Sequence, residues 1–235
     1  MLNRLLFISI VLLFFSCGNE KLLELPEIQN ADITEVLDVS PAYIFYDETK
    51  QDSVELNRKN LIISTNWLFN VDKRLTLEQA LPSIIKLQEK KRNATMHKNE
   101  KARNYYTCND TSIKNLGFID FTDVEYNSLE ISKNKENGTT HQKAYQFNVI
   151  VQNIDNIIIQ SYITVSDSTN SKKLNTQLKS CLNKVNLNDH HGGDYFAIHL
   201  SFNRNLRFQD YISLKSILSN FKSEKTVIDN SEFIY

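Results

Sequence analysis

The chain has 235 residues, a net formal charge of −1, 41% hydrophobic and 23% charged side chains. That is the composition of a folded body, and the near-zero charge supplies no whole-chain field to draw in nucleic acid. Five glycines and three prolines go with the absence of a P-loop or a G-x-G-x-x-G pattern, so nucleotide-phosphate cradles are excluded.

The amino terminus comes first. Asn3 and Arg4 are polar, Leu5 to Phe15 are apolar apart from Ser9, and Ser16, Cys17 and the polar Gly18-Asn19-Glu20 follow. A positive start, a short apolar run and a small residue at the cut describe a secretory signal over 1–16. The run is too short for a membrane span, which needs ~20 apolar residues. A cysteine directly after the small residue resembles the lipobox of bacterial lipoproteins, with Phe14 where that family usually has Leu. The resemblance implies that the Cys17 thiol receives a diacylglycerol and anchors the chain to a cell or outer membrane. Gly18-Asn19-Glu20-Lys21 is a poor match to a surface-export signal, which favours a periplasm-facing body. An ordinary cleaved signal with an accidental Cys17 is the alternative.

Residues 17–40 read as a tether, acidic with scattered apolar positions, or else as an irregular segment packing Ile33, Val36 and Leu37 on the body. A first module spans 41–130. Tyr43–Asp47, Leu61–Ile63 and Trp67–Val71 are strand candidates. Thr76-Leu77-Glu78-Gln79 is a capping box opening a helix that buries Leu77, Leu81, Ile84 and Ile85, with a kink or later start expected at Pro82. Lys86–Arg103 is the most basic stretch. It could face anionic polymer or headgroups, but reads more simply as a solvated helix end and loop. Leu116–Tyr126 returns as a strand with an irregularity near Thr122, where the apolar parity switches.

Asn127–Gln142 is polar and marks the boundary to a second module at 143–235. Tyr145, Phe147, Val149 and Val151 alternate, Asp155-Asn156 turns the chain, and Ile157–Val165 completes a hairpin. Ser168–Ser171 caps a helix burying Leu174, Leu178, Cys181, Leu182 and Val185. Phe196, Ile198, Leu200 and Phe202 form a strand, and Phe208–Phe221 a second amphipathic helix. Thr226–Ile228 and Phe233–Tyr235 end the module as an edge strand. The order β-β-α-β-α-β predicts an α+β fold, a mixed β-sheet with helices packed on one face.

Leu200–Ile212, reading LSFNRNLRFQDYI, resembles the periplasmic domain of the ExbD/TolR biopolymer-transport family. Leu200 and Phe202 fill the strand, Asn203-Arg204-Asn205 the turn, Leu206 the aliphatic place and Phe208 the aromatic one. Arg207 and Gln209 replace the family's Pro and Gly. The likeness covers roughly 157–235. Trp67–Gln88 echoes the same strand and helix, which leaves open two related modules. Motor activity in that family depends on a spanning helix with a buried Asp, and Leu5–Phe15 has no acid. The resemblance therefore implies the fold and a tendency to bind periplasmic partners, without proton-driven work.

Chemistry candidates are sparse. Asp189, His190, His191, Asp194 and His199 suit zinc by residue type, yet adjacent histidines diverge from a loop and no helical H-x-x-x-H pair occurs. A turn feeding a strand accounts for the same residues. Cys108 and Cys181 could pair in an oxidising compartment, but spacing leaves this open, and Cys181 sits on an apolar helix face. No nucleophile triad has an anchor, and Asp120 with Asp123 is a commonplace pair at a strand end. The sequence reading is thus a non-enzymatic, lipid-anchored envelope protein without a cofactor, binding a periplasmic protein or wall polymer such as peptidoglycan. The alternative is a lipid-anchored metal-dependent hydrolase using the Asp189–His199 cluster.

Overall fold

A computed structural model of the chain describes residues 21–128, 145–161, 167–188, 196–219, 221 and 226–235. Within them the fold is α+β, with two six-stranded mixed sheets.

The first sheet holds β1 (Glu27–Ile28), β2 (Val39–Tyr46), β3 (Val54–Asn57), β4 (Asn66–Val71), β5 (Asn104–Asp110) and β6 (Asn115–Asp120), in the order β1-β5-β4-β2-β3 with β6 also on β5. Strands β2, β4 and β5 are parallel, so β4 cannot reach β5 by a hairpin. Helix α1 (Leu77–Arg92) makes that crossover. Its first turn is closed reciprocally: Gln79 N donates to Thr76 Oγ1 at 3.3 Å, and Thr76 N donates to Gln79 Oε1 at 2.9 Å. Leu77, Ala80, Leu81, Ile84 and Leu87 form the buried stripe. Pro82 lies inside the helix, which nevertheless starts at its cap and runs on to Arg92.

The second sheet runs β10 (Asp167–Thr169), β9 (Asn156–Ser161), β8 (Tyr145–Asn153), β11 (Phe196–Phe202), β12 (Thr226–Ile234), β7 (Glu125–Ser128). β8 and β9 are the expected hairpin. Helix α2 (Leu174–Asn188) precedes β11, and α3 (Phe208–Ser219) joins β11 to its parallel neighbour β12. Phe196, Ile198, Leu200 and Phe202 are all buried, the period-2 pattern of a strand covered on one face.

Four local expectations are corrected. Leu61–Ile63 is a loop, whose Ile62 carbonyl accepts the indole N–H of buried Trp67 at 2.7 Å; β3 partners β2 instead. The irregularity at Thr122 is a complete break. Phe121–Val124 carries the chain from β6 in the first sheet to β7 in the second, so part of the 41–130 stretch belongs to the second sheet. The last strand, β12, is interior, flanked by β11 and β7. Finally, the supposed tether is bound to the body from Lys21 onward. Ile28 is buried, β1 pairs with β5, and Phe118 N donates to Ile33 O at 2.9 Å. Gly117 makes room for this segment: a Cβ there would meet Ala31 Cβ at 2.6 Å and Ile28 Cδ1 at 3.0 Å.

The two strand-to-helix turns, after β4 and after β11, pair with each other. Leu77 N donates to Leu206 O (2.9 Å) and Phe208 N to Leu75 O (2.7 Å); Glu78 N donates to Arg204 O (2.9 Å) and Gln209 N to Lys73 O (3.2 Å). Thr76 faces Arg207 in an isolated antiparallel bridge. This reciprocity is that of an approximate two-fold axis through Thr76 and Arg207. It relates β2-β3-β4-α1-β5 to β8-β9-β11-α3-β12, with α2 an addition of the second module. Around the axis the aromatic rings of both modules merge. Tyr106 stacks on Phe121 at 3.8 Å between centroids and meets Phe208 edge-on at 5.2 Å, while Tyr211 meets Phe202 at 5.1 Å.

Phe208→Ala removes a fully buried ring shared by both modules and is expected to cost about 3–5 kcal/mol. The only tryptophan, Trp67, reports on the first module. In urea, its fluorescence and the far-UV dichroism of the whole chain should shift to a lower midpoint together, as one transition.

Candidate functional site

Three features of the described residues have chemical content. The first is a chain of buried polar groups where the modules meet. Tyr106 Oη lies 2.6 Å from Tyr126 Oη, which lies 3.2 Å from Tyr211 Oη. Tyr211 donates to Glu232 Oε2 at 2.8 Å, and Lys215 donates to Glu232 Oε1. Strand β5 supplies Tyr106, β7 supplies Tyr126, α3 supplies Tyr211 and Lys215, and β12 supplies Glu232. Tyr106, Tyr211 and Glu232 are fully buried. Burial pushes the Tyr106, Tyr126 and Tyr211 phenols up, with the Glu232 carboxylate adding to the effect, so all three remain donors at neutral pH.

The two-fold relation gives this cluster a reference. Aligning Leu77 with Phe208 by their equivalent bonds places Ala80 at Tyr211 and Ile84 at Lys215. Tyr106, opposite Phe69 in the first sheet, corresponds to Glu232, opposite Leu200 in the second. The second module therefore carries an ion pair where the first has Ile84 and a phenol. A register shift in β12 after Ile228 puts Asp229 and Asn230 beside this pair. A cavity of about 290 Å³ opens there, with Lys215, Asp120, Asp229 and Leu218 among its walls.

The second feature is a cleft of about 480 Å³ between β1 and the facing sides of α2 and α3. Amide and hydroxyl side chains dominate it: Gln29, Asn30, Thr111, Asn175, Gln209 and Ser213. The buried Asn175 Oδ1 has no hydrogen-bond partner among the described residues. Gln209 clamps β1 by accepting from Glu27 N at 2.8 Å and donating to Glu27 O at 2.9 Å.

The third lies at the amino-terminal ends of β2 and β4. Leu37 is 71% exposed, Val39 41%, Ile62 59% and Met96 72%. Their segments are tied together there. Asn66 Nδ2 donates to Leu37 O at 2.8 Å, Ile62 N to Ser40 Oγ at 3.3 Å, and Asn99 Nδ2 to Ser64 O at 3.0 Å.

The sequence-based candidates fare differently. Cys17, Asp189, His190, His191 and Asp194 lie outside the described residues. His199 Nδ1 is engaged by Asp229 Oδ2 at 2.9 Å. Among the described residues no group of three or more His, Cys, Asp or Glu is placed to hold a metal. Cys108 and Cys181 are buried thiols without a disulfide between them. Asp120 and Asp123 both bind Arg103, at 2.8 and 2.9 Å. In the basic stretch, Lys91 is buried, donating to Thr65 O, Arg103 O and Asn104 Oδ1 at 2.9–3.1 Å and lying 5.1 Å from the Trp67 ring centroid. Arg92 caps the carbonyls of Thr122 and Val124. These cations support the crossover loop rather than face a polymer.

Sequence reasoning missed the Lys215–Glu232 pair. Its signal was a lysine on the apolar stripe Phe208, Tyr211, Ile212, Leu218. No protein-family model, curated protein or solved structure matches the chain.

Lys215→Met strands a buried carboxylate and should destabilise the protein by about 3–5 kcal/mol in urea titrations, whereas Lys215→Met with Glu232→Gln should return to within about 2 kcal/mol of wild type. Burial lowers Lys91 to about 8. Between that value and the ordinary lysine range the unfolded chain holds more protons, so this group makes stability rise with pH. The urea midpoint of wild type minus that of Lys91→Met should therefore increase between pH 8 and pH 9.5.

Proposed function

We propose that the chain is a lipid-anchored envelope lipoprotein whose two-module body acts as a non-enzymatic binding or accessory module for a periplasmic protein. The observation that carries this reading is the exposed apolar end formed by Leu37, Val39, Ile62 and Met96. Large side chains grouped on a surface gain little by staying in water, and a protein partner would bury them. They are held on strand ends and short tied loops, so binding would cost little ordering entropy. The strand–turn–helix–strand order implied by the ExbD/TolR likeness is present, and the two-fold repeats it, which supports a scaffold role. The lipobox at Ser16-Cys17 supports the anchor.

A second reading, attachment to wall polymer, is favoured by the polar cleft beside β1. Neutral amides and hydroxyls, with an Asn175 carbonyl unpaired among the described residues, suit the hydroxyl and acetamido groups of a glycan.

Cys17→Ser should move the protein from the membrane pellet to the soluble fraction. Leu37→Ser with Ile62→Ser, both exposed, should leave the unfolding free energy from urea titration within about 0.5 kcal/mol of wild type. The same variant should lose the proteins that co-purify with wild type from detergent-solubilised membranes. Loss of binding to sedimented peptidoglycan in Asn175→Ala, with those proteins retained, would instead select the polymer reading.

A further inference from the structure

The amino-terminal segment fixes where the body stands relative to its anchor. Lys21 forms ion pairs with Asp47, at 3.0 Å, and with Glu55, on either side of the β2–β3 turn. Three residues on, the chain is pinned again. Glu24 N donates to Asp72 Oδ2 at 3.2 Å, Lys73 N donates to Glu24 O at 2.8 Å, and the Glu24 carboxylate lies 3.4 Å from Arg74. Only four residue steps separate Lys21 from Cys17. Fully extended, they reach about 14 Å. The headgroup layer of one leaflet takes up about 5–7 Å of that.

We propose that the body stands directly on the lipid surface through the β2–β3 turn, Asp47–Ser53, with zwitterionic headgroups as the partner. This rests on acylation of Cys17. The charges choose the lipid: Lys21 and Lys50 stand against Asp47, Glu48, Asp52 and Glu55, so the turn has no basic excess to attract anionic headgroups. Leu22, 72% exposed beside the pinned lysine, is the apolar contact on this face. Strand direction then sets the far side. β2 and β4 are parallel and both end at the Lys21 side, so the apolar end around Leu37 and Ile62 points away from the bilayer. The eight residues of β2 put about 25 Å between the two ends. The partner surface is thereby presented to the compartment.

The test uses the full acylated chain in phosphatidylcholine vesicles containing a lipid spin-labelled at the headgroup. Gln51→Cys and Met96→Cys, both exposed positions at opposite ends, are each labelled with a thiol-reactive fluorophore; Cys108 and Cys181 are buried. Quenching is expected to be at least about threefold stronger at residue 51 than at residue 96, given a reach of ~14 Å. Inserting twelve Gly/Ser residues after Asn19 adds ~20 Å of mean span and should bring the two sites to the same level. Equal quenching in the wild-type chain, or quenching at 51 that survives the insertion, overturns the seating while leaving the anchor intact. An intact mass showing an unmodified Cys17 in membrane-extracted protein overturns both the seating and the lipoprotein reading.

Discussion

Four backbone hydrogen bonds between two turns hold this molecule in its arrangement. The turns after β4 and β11 each expose amide groups as a strand gives way to a helix, and each satisfies the other's. Because the bonds are reciprocal, they fix position, direction and register together. α1 and α3 then start side by side, and their first buried residues, Leu77 and Phe208, enter one core. The edge-on contact of Tyr106 with Phe208 and the Tyr106–Tyr126 link that opens the phenol chain follow from that register. A slip along the pairing would pull Tyr106, on β5 of the first sheet, away from Tyr126 and Tyr211 of the second.

The same geometry explains why the halves differ. Ile84 and Tyr106 meet a purely structural need in the first module. At the matching places the second has Lys215 and Glu232, desolvated and compensated by each other and by Tyr211. A buried ion pair is poor value as a stabiliser compared with apolar packing, and its merit lies in demanding one arrangement. Here that arrangement is the seating of β12 beneath α3 and next to β7. The ion pair sits at the wall of a cavity, beside a register shift in β12, a place where side chains are redirected.

Much of the architecture was legible in the sequence. The capping box at Thr76, the alternation through β8 and β11, the hairpin at Asp155 and the stripe of α3 each follow from a short-range period. What escaped reading depended on distant partners. β3, with all four residues half-buried, has no alternation to announce it. β7 reads as a continuation of β6 because residue type says nothing about which sheet a strand will join. β12 looks like an edge from its place in the chain, and only the return of β7 covers it. The tether reading failed at Gly117, a residue far along the chain whose missing side chain lets Ile28 and Ala31 settle on β6. The apolar end was invisible for a similar reason: Leu37, Ile62 and Met96 are scattered in sequence and gathered only by strand order.

Joining two like modules in a single polypeptide frees each from copying the other. In an assembly of identical subunits, any change at the axis is imposed twice. A glutamate placed there would confront its own image, and the two negative charges would drive the copies apart. A covalent pseudo-dimer escapes this, setting a phenol at one of the matched places and a carboxylate at the other. The row of tyrosines running into one acid is an asymmetry that two identical subunits could not encode.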